Sequence, residues 1–199
     1  MKNGMKIYDI HTHFYSKPWL DYLSERKEDP TFKWTGPTSG LGYIGGVPSA
    51  HVDKAGTFDM KSRVHDLDEL GIDVQIISHT CPGVGEVEED VAIEWSTKLN
   101  DLFAGFCEEY PNRFYFLATV PCQNVNEAIK ELERVEKLKG LKGVQVFSNV
   151  NGTLISDEKF HPILGKAADM GLPVKVHPAL TPLTKEAMFK AKLPVQLFG

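Results

Sequence analysis

Apolar residues in this chain occur as short continuous runs that alternate with longer stretches of helical spacing. The continuous runs predict strands near residues 5–13, 74–79, 113–120, 143–147 and 172–177, with a candidate sixth strand at 195–198. Apolar positions that recur every three or four residues predict helices near 59–70, 88–110, 157–170 and 184–192, and another that begins after Asn124. The chain therefore reads as a repeated order of strand and helix.

This order is typical of a buried parallel sheet that is covered by helices. Right-handed crossovers fit either an open doubly wound sheet or part of a (β/α) barrel, and periodicity does not choose between them. A segment rich in Gly and Pro, at about 28–57, interrupts the order and predicts a loop or hairpin insertion. Its Gly40–Gly45 stretch matches GxGxxG, but no strand leads into it and no helix follows, so we reject nucleotide binding there.

Composition indicates the class of protein and argues against several kinds of partner. The chain has 199 residues, 42% hydrophobic and 25% charged, which predicts a single globular domain over 1–199. The net charge of −5 argues against a nucleic-acid surface. The sequence contains no apolar run long enough for a membrane span and no secretory signal at its start. Three well-separated cysteines read as reduced thiols, so we expect a cytoplasmic protein.

Two histidines, His11 and His13, end the first predicted strand. Side chains two positions apart in a strand face the same side, and paired imidazoles suit a divalent metal such as zinc. The alternative is a half-buried or surface pair at a strand end. Parallel α/β sheets carry their chemistry at the carboxyl ends of the strands, where His177 ends the fifth run. Three histidines from two strands predict a three-ligand site with open coordination positions.

Two further histidines have an open assignment. His79 ends the second predicted strand and either points into the site or belongs to the turn that follows. His51 lies in the insertion, where it is a candidate for a lid over the site.

The segments around these residues resemble the amidohydrolase-related metal-dependent hydrolases of TIM-barrel fold. The similar branch contains aminocarboxymuconate-semialdehyde decarboxylase and the resorcylate-type decarboxylases. The resemblance covers nearly the whole chain, and its most specific segments are Asp9–His13 and Pro173–Pro178. Its other segments are 60–78, with Arg63, Asp68, Gly71 and Gln75 as fixed points, and 110–114, 143–145 and 149–152.

The resemblance implies that His11, His13 and His177 hold one divalent metal ion, with zinc favoured and manganese or iron as alternatives. It also implies that the insertion borders the substrate. The candidate substrate contacts are then Trp34, His51, Asn149 and Asn151.

Members of this family carry a further histidine after the sixth strand and an aspartate after the eighth, which completes the metal shell. Neither falls within these 199 residues. The resemblance therefore implies a (β/α)8 barrel of which five to six units are present, and no catalytic residue is assigned. An unclosed barrel exposes a sheet edge that favours pairing with another chain, so we expect a homo-oligomer.

Function follows from the same resemblance. We expect a metal-dependent decarboxylase or hydrolase acting on a small carboxylated substrate, aromatic or of muconate type. The alternative is a truncated, inactive or partner-completed member of the same family. We expect neither a nucleic-acid nor a membrane partner.

Overall fold

A computed structural model describes residues 4–180 and Glu186 of this chain. The helices and strands, in chain order, are β1 (Tyr8–His13), α1 (Lys17–Glu25), β2 (Thr31–Gly36), β3 (Ser39–Ile44), β4 (Val47–Val52), α2 (Met60–Leu70), β5 (Val74–Ser78), α3 (Glu89–Glu109), β6 (Phe114–Thr119), α4 (Val125–Val135), β7 (Leu141–Phe147), β8 (Asn149–Val150), β9 (Thr153–Leu154), α5 (His161–Asp169) and β10 (Val174–His177). The helix expected near 184–192 and the strand expected at 195–198 lie outside the described residues.

The central sheet is parallel and has the strand order β1-β5-β6-β7-β10. Helices α2 to α5 connect its successive strands. Phenylalanines from the sheet and from α3 form a buried core layer between them, and Phe103, Phe114 and Phe116 are each exposed by at most 1%. The parallel sheet expected from the apolar runs is therefore present.

Local sequence signals explain where α2 begins and ends. The side chain of Asp59 accepts a hydrogen bond from the backbone N–H of Ser62, at 2.7 Å, and so caps the first turn. Gly71 ends the helix in the left-handed region, with φ of 70°, which a residue without a Cβ adopts at little cost. These two ends fix the connection from the insertion to β5.

The insertion at 28–57 is more ordered than the loop or hairpin we expected. Its strands β2, β3 and β4 form an antiparallel sheet of three strands. The Gly40–Gly45 stretch lies on β3 and the turn after it, so it does not join a strand to a helix. A Cβ added at Gly42 would lie 2.8 Å from Cδ of Pro82, so this sheet packs closely on the loop after β5.

The two edge strands of the central sheet expose apolar side chains. Ile10 on β1 is 67% exposed and Val176 on β10 is 52% exposed. Within the part of the chain that the structure describes, no helix has the length and apolar character needed to cross a bilayer.

Candidate metal centre

Three histidines meet at the carboxyl ends of two strands. His11 and His13 lie on β1 and His177 ends β10, and one nitrogen atom from each lies within 4.8 Å of the others. The closest pair is Nε2 of His13 and Nε2 of His177, at 2.9 Å. The structure thus brings together the three residues that the sequence singled out as metal ligands.

Curvature of the sheet creates this meeting point. β1 and β10 are the first and last of five strands. In a flat sheet, four spacings of about 4.8 Å would separate these strands by about 19 Å. Because the two Nε2 atoms are in hydrogen-bonding distance instead, the sheet must curl so that its carboxyl ends surround a common space.

The backbone of β1 is held in place by polar contacts from neighbouring elements. Arg63 of α2 donates to the carbonyl oxygen of His13 at 2.8 Å and to Oγ1 of Thr12 at 3.0 Å. The carboxylate of Asp9 accepts from the backbone N–H of His11 at 3.3 Å. The register of β1 with β5 shifts between Asp9 and Thr12, so these contacts stabilise an irregular strand end. The irregularity re-aims the side chains that follow it.

Contacts on both sides orient the ring of His177. Its Nδ1 lies 2.7 Å from the carbonyl oxygen of Pro178, which only an N–H on Nδ1 can satisfy. The neutral ring therefore carries its lone pair on Nε2, the atom that faces His13. The ring of Phe147 packs edge-on at 5.7 Å. Phe147 in turn covers Gly83, where an added Cβ would lie 2.8 Å from its ring.

Burial favours the neutral form of the His13 and His177 imidazoles. The pKa of His13 is lowered to about 3, first by burial and then by electrostatic interaction with His177 and Lys175. The pKa of His177 is also lowered, mainly by burial. Neutral imidazoles offer lone pairs, which is the form that binds a metal ion.

This donor set fits a divalent cation. Three imidazole nitrogens are typical ligands for zinc, and they also suit iron and manganese in mixed shells. Tetrahedral coordination with Zn–N bonds of about 2.0–2.1 Å places ligand nitrogens about 3.3 Å apart. The closest pair here, at 2.9 Å, needs only a small adjustment to reach that separation. Three protein ligands leave coordination positions open for water or substrate.

A lysine that the sequence reasoning passed over also reaches this space. Lys175 lies two residues before His177 on β10, and its Nζ donates to Oγ of Ser78 at 3.3 Å. The signal in the sequence was the Lys-x-His spacing, since alternate residues of a strand share a face.

His79 does not join the cluster. Its ring is fully buried and packs against the rings of Tyr15 and Trp19, with centroids 6.5 and 5.6 Å away. Neither ring nitrogen has a hydrogen-bond partner among the described residues. Burial, with smaller contributions from His13 and His177, lowers its pKa to about 3.

Two of the expected substrate contacts lie on the insertion sheet. Trp34 is half-buried against Phe32 and Phe58, and His51 is exposed on β4. Both remain predictions as substrate contacts.

Of the two asparagines, Asn149 contacts the segment that follows His177. Its Nδ2 donates to the carbonyl oxygens of Ala179 and Leu180, both at 3.3 Å, and so ties the segment after His177 to the end of β7. Asn151 is exposed, has φ of 50° and lines a separate cavity of about 290 Å³. The hydrogen bonds of Asn149 thus hold the segment after β10 in place. A role for either asparagine in substrate binding remains a prediction.

Comparison with known proteins adds to this geometry. Residues 8–197 match the family described as Amidohydrolase. The 2-amino-3-carboxymuconate-6-semialdehyde decarboxylase of Dictyostelium discoideum is 30% identical in an alignment 194 positions long, and the match covers 88% of this chain and 49% of that protein. This chain therefore spans about half the length of that curated relative.

Two solved structures have the same fold. IDCase of Metarhizium anisopliae in its apo form has a TM-score of 0.81 and 20% identity, over 98% of this chain and 57% of that one. 5-Carboxyvanillate decarboxylase of Novosphingobium aromaticivorans, with bound manganese and 3-methoxy-4-hydroxy-5-nitrobenzoic acid, has a TM-score of 0.77 and 24% identity, over 100% of this chain and 58% of that one. The parallel sheet is thus part of a (β/α) barrel of the TIM type and not a doubly wound sheet, which decides between the two arrangements that periodicity left open.

Proposed function

We propose, from the premise that this chain belongs to the amidohydrolase family, that it forms the metal-binding part of a decarboxylase for a small carboxylated aromatic or muconate-type substrate. The observation that carries the proposal is the convergence of three imidazoles from β1 and β10. The relatives support decarboxylation over hydrolysis, because each of the two named for its reaction, in Dictyostelium and Novosphingobium, is a decarboxylase.

In this proposal His11, His13 and His177 hold the metal ion. A divalent cation there would supply positive charge for a carboxylate or phenolate oxygen and for the negative charge that develops as CO₂ leaves. The protein residues provide orientation: Arg63 holds the backbone at His13, and Phe147 packs on the ring of His177. Zinc is our first choice of metal, since it tolerates three imidazole ligands with open positions.

We further propose that the site works in a homo-oligomer or with a partner that completes it. The exposed apolar side chains of Ile10 and Val176 on the two edge strands support this proposal, because unpaired sheet edges favour association. A cytoplasmic location is consistent with the three cysteines, which are buried and unbridged.

The test is metal content, measured by elemental analysis on protein whose size is determined by light scattering. We expect about one metal ion per chain in a defined oligomer, with CO₂ release from 2,6-dihydroxybenzoate that chelation abolishes. His177→Ala should lose the metal ion and the activity, whereas His65→Ala, at an exposed position on α2, should keep both. Metal retention in a His11→Ala/His13→Ala double variant would contradict the site.

A further inference from the structure

Lys175 has fewer partners than a half-buried ammonium group requires. An ammonium carries three N–H donors, and here the only partner among residues 4–180 is Oγ of Ser78, at 3.3 Å. No carboxylate oxygen of the described residues lies within 4 Å of its Nζ. Charged groups withdrawn from water are normally paired. Among the described residues, Lys175 has no such counter-charge.

The position of this group places it beside the three histidines. Lys175 and His177 alternate on β10, so their side chains leave the same face of the strand. Ser78 is the register partner of His13 across β1 and β5. The side chain of Lys175 therefore extends from β10 over β7 and β6 to β5. Its ammonium group lies there beside Ser78, the register partner of His13.

The acidic group that acts on Lys175 is already engaged. Burial lowers the pKa of Lys175, and the carboxylate of Asp9 opposes that shift through its negative charge, from beyond ion-pair distance. Its two oxygens accept hydrogen bonds from Nε2 of Gln75 at 2.8 Å and from the backbone N–H of His11 at 3.3 Å. Asp9 thus stabilises the end of β1, and two donors of Lys175 have no partner among the described residues.

We propose that the free donors of Lys175 bind the carboxylate of the substrate next to the three histidines. This inference rests on the proposed function, which requires a carboxylated substrate, and it assigns that carboxylate to one residue. A lysine contacts an anion as a point charge, so the subsite selects for negative charge more than for a planar fork. Neutral analogues of the same shape should therefore bind weakly.

The test compares benzoate with benzamide, its neutral counterpart, in NMR-detected titrations of manganese-loaded and metal-free protein. The variants are Lys175→Met, which removes the charge at similar length, and Lys137→Met as an exposed control. We expect Lys175→Met to weaken benzoate binding by about tenfold to a hundredfold, the range of a lost charge-assisted hydrogen bond. Benzamide binding should be unchanged, and Lys175→Arg should restore part of the preference.

Two results would overturn the inference. One is a folded Lys175→Met or Lys175→Gln variant that binds benzoate as the wild type does. The other is metal-free wild-type protein that binds benzamide as tightly as benzoate, a comparison that needs no variant to fold. If the wild type binds no metal ion, the proposed function fails, whereas the comparison in metal-free protein still decides the role of Lys175.

Discussion

Replacing His79 with leucine should make this protein less sensitive to acid. The imidazole is fully buried, neither ring nitrogen has a hydrogen-bond partner among the described residues, and burial lowers its pKa from 6.5 to about 3. When the pH falls below 6.5, the unfolded chain takes up a proton at this residue that the folded chain does not. Stability is therefore lost as the pH falls from 6.5 towards 3, and is unaffected above that range.

The size of the effect follows from proton linkage. Between the two pKa values the free energy of unfolding falls by about 1.4 kcal/mol per pH unit, which amounts to about 2 kcal/mol at about pH 5. His79→Leu removes this contribution to the pH dependence. It breaks no side-chain hydrogen bond seen among the described residues, and the backbone carbonyl oxygen at this position still accepts a hydrogen bond from Gln145. At about pH 7.5 the variant loses only the ring contacts with Trp19 and Tyr15.

Urea unfolding at several pH values measures the difference directly. The stability of His79→Leu relative to the wild type should rise by about 2 kcal/mol between about pH 7.5 and about pH 5. His51→Leu, at an exposed position, controls for the loss of a histidine as such. A difference that stays constant over this pH range would refute the assignment of His79 as a buried neutral imidazole.

Two further predictions concern stability. Asn100→Ala should destabilise the protein by about 2–4 kcal/mol in urea unfolding, because it leaves two buried backbone groups unpaired. The side chain of Asn100 accepts from the N–H of Thr119 at 3.0 Å and donates to the carbonyl oxygen of Thr119 at 2.8 Å. A decrease in the free energy of unfolding well under about 1 kcal/mol would contradict this prediction and show that water replaces the amide side chain. Zn²⁺ or Mn²⁺ at about a hundred times its dissociation constant should stabilise the wild type by about 2.7 kcal/mol in thermal unfolding. The same addition should leave His13→Ala unchanged, and equal stabilisation of both proteins would place the metal elsewhere.

The central sheet could be predicted because its strands carry their signal locally. β5 and β6 are nearly continuous apolar runs, and strands of this kind are buried on both faces. Helix α1 gave no such signal, since only three of its nine residues, Trp19, Leu20 and Leu23, are buried. Its position depends on a distant contact, the indole N–H of Trp19 on the carbonyl oxygen of Pro82 at 2.8 Å.

The insertion at about 28–57 was predicted as a loop or hairpin, and its three-stranded sheet was missed for a related reason. Glycine and proline weaken strand propensity, so the segment read as a loop. Pro48 is tolerated because β4 is an edge strand, where a missing N–H costs no ladder hydrogen bond. Gly42 is needed where β3 approaches Pro82. Glycine and proline residues that the sequence pattern suggested would break a strand are thus accommodated by the position of the strand or by its packing against another element.

In the candidate metal centre too, the positions of the ligands could be predicted from local sequence, whereas contacts with distant elements could not. The face shared by His11 and His13 follows from a period of two, and the position of His177 follows from the end of a strand. The resemblance marked Arg63 as a fixed point without assigning it a contact, and Lys175 was not singled out. Their long side chains act on other strands, at His13 and Ser78. Sequence spacing along one element does not show which neighbouring element such a side chain reaches.

Curvature links the fold to the chemistry. His13 and His177 stand on β1 and β10, which are not neighbours in the sheet, so the 2.9 Å between their Nε2 atoms depends on how strongly the intervening strands β5, β6 and β7 curl. A cation that binds both rings favours the curled sheet over any flatter arrangement. Part of the free energy of metal binding then offsets the free-energy cost of curling the sheet. Because the same two strands expose Ile10 and Val176, association at these edges would act on the same curvature. Metal affinity and self-association should therefore be thermodynamically coupled through the curled sheet.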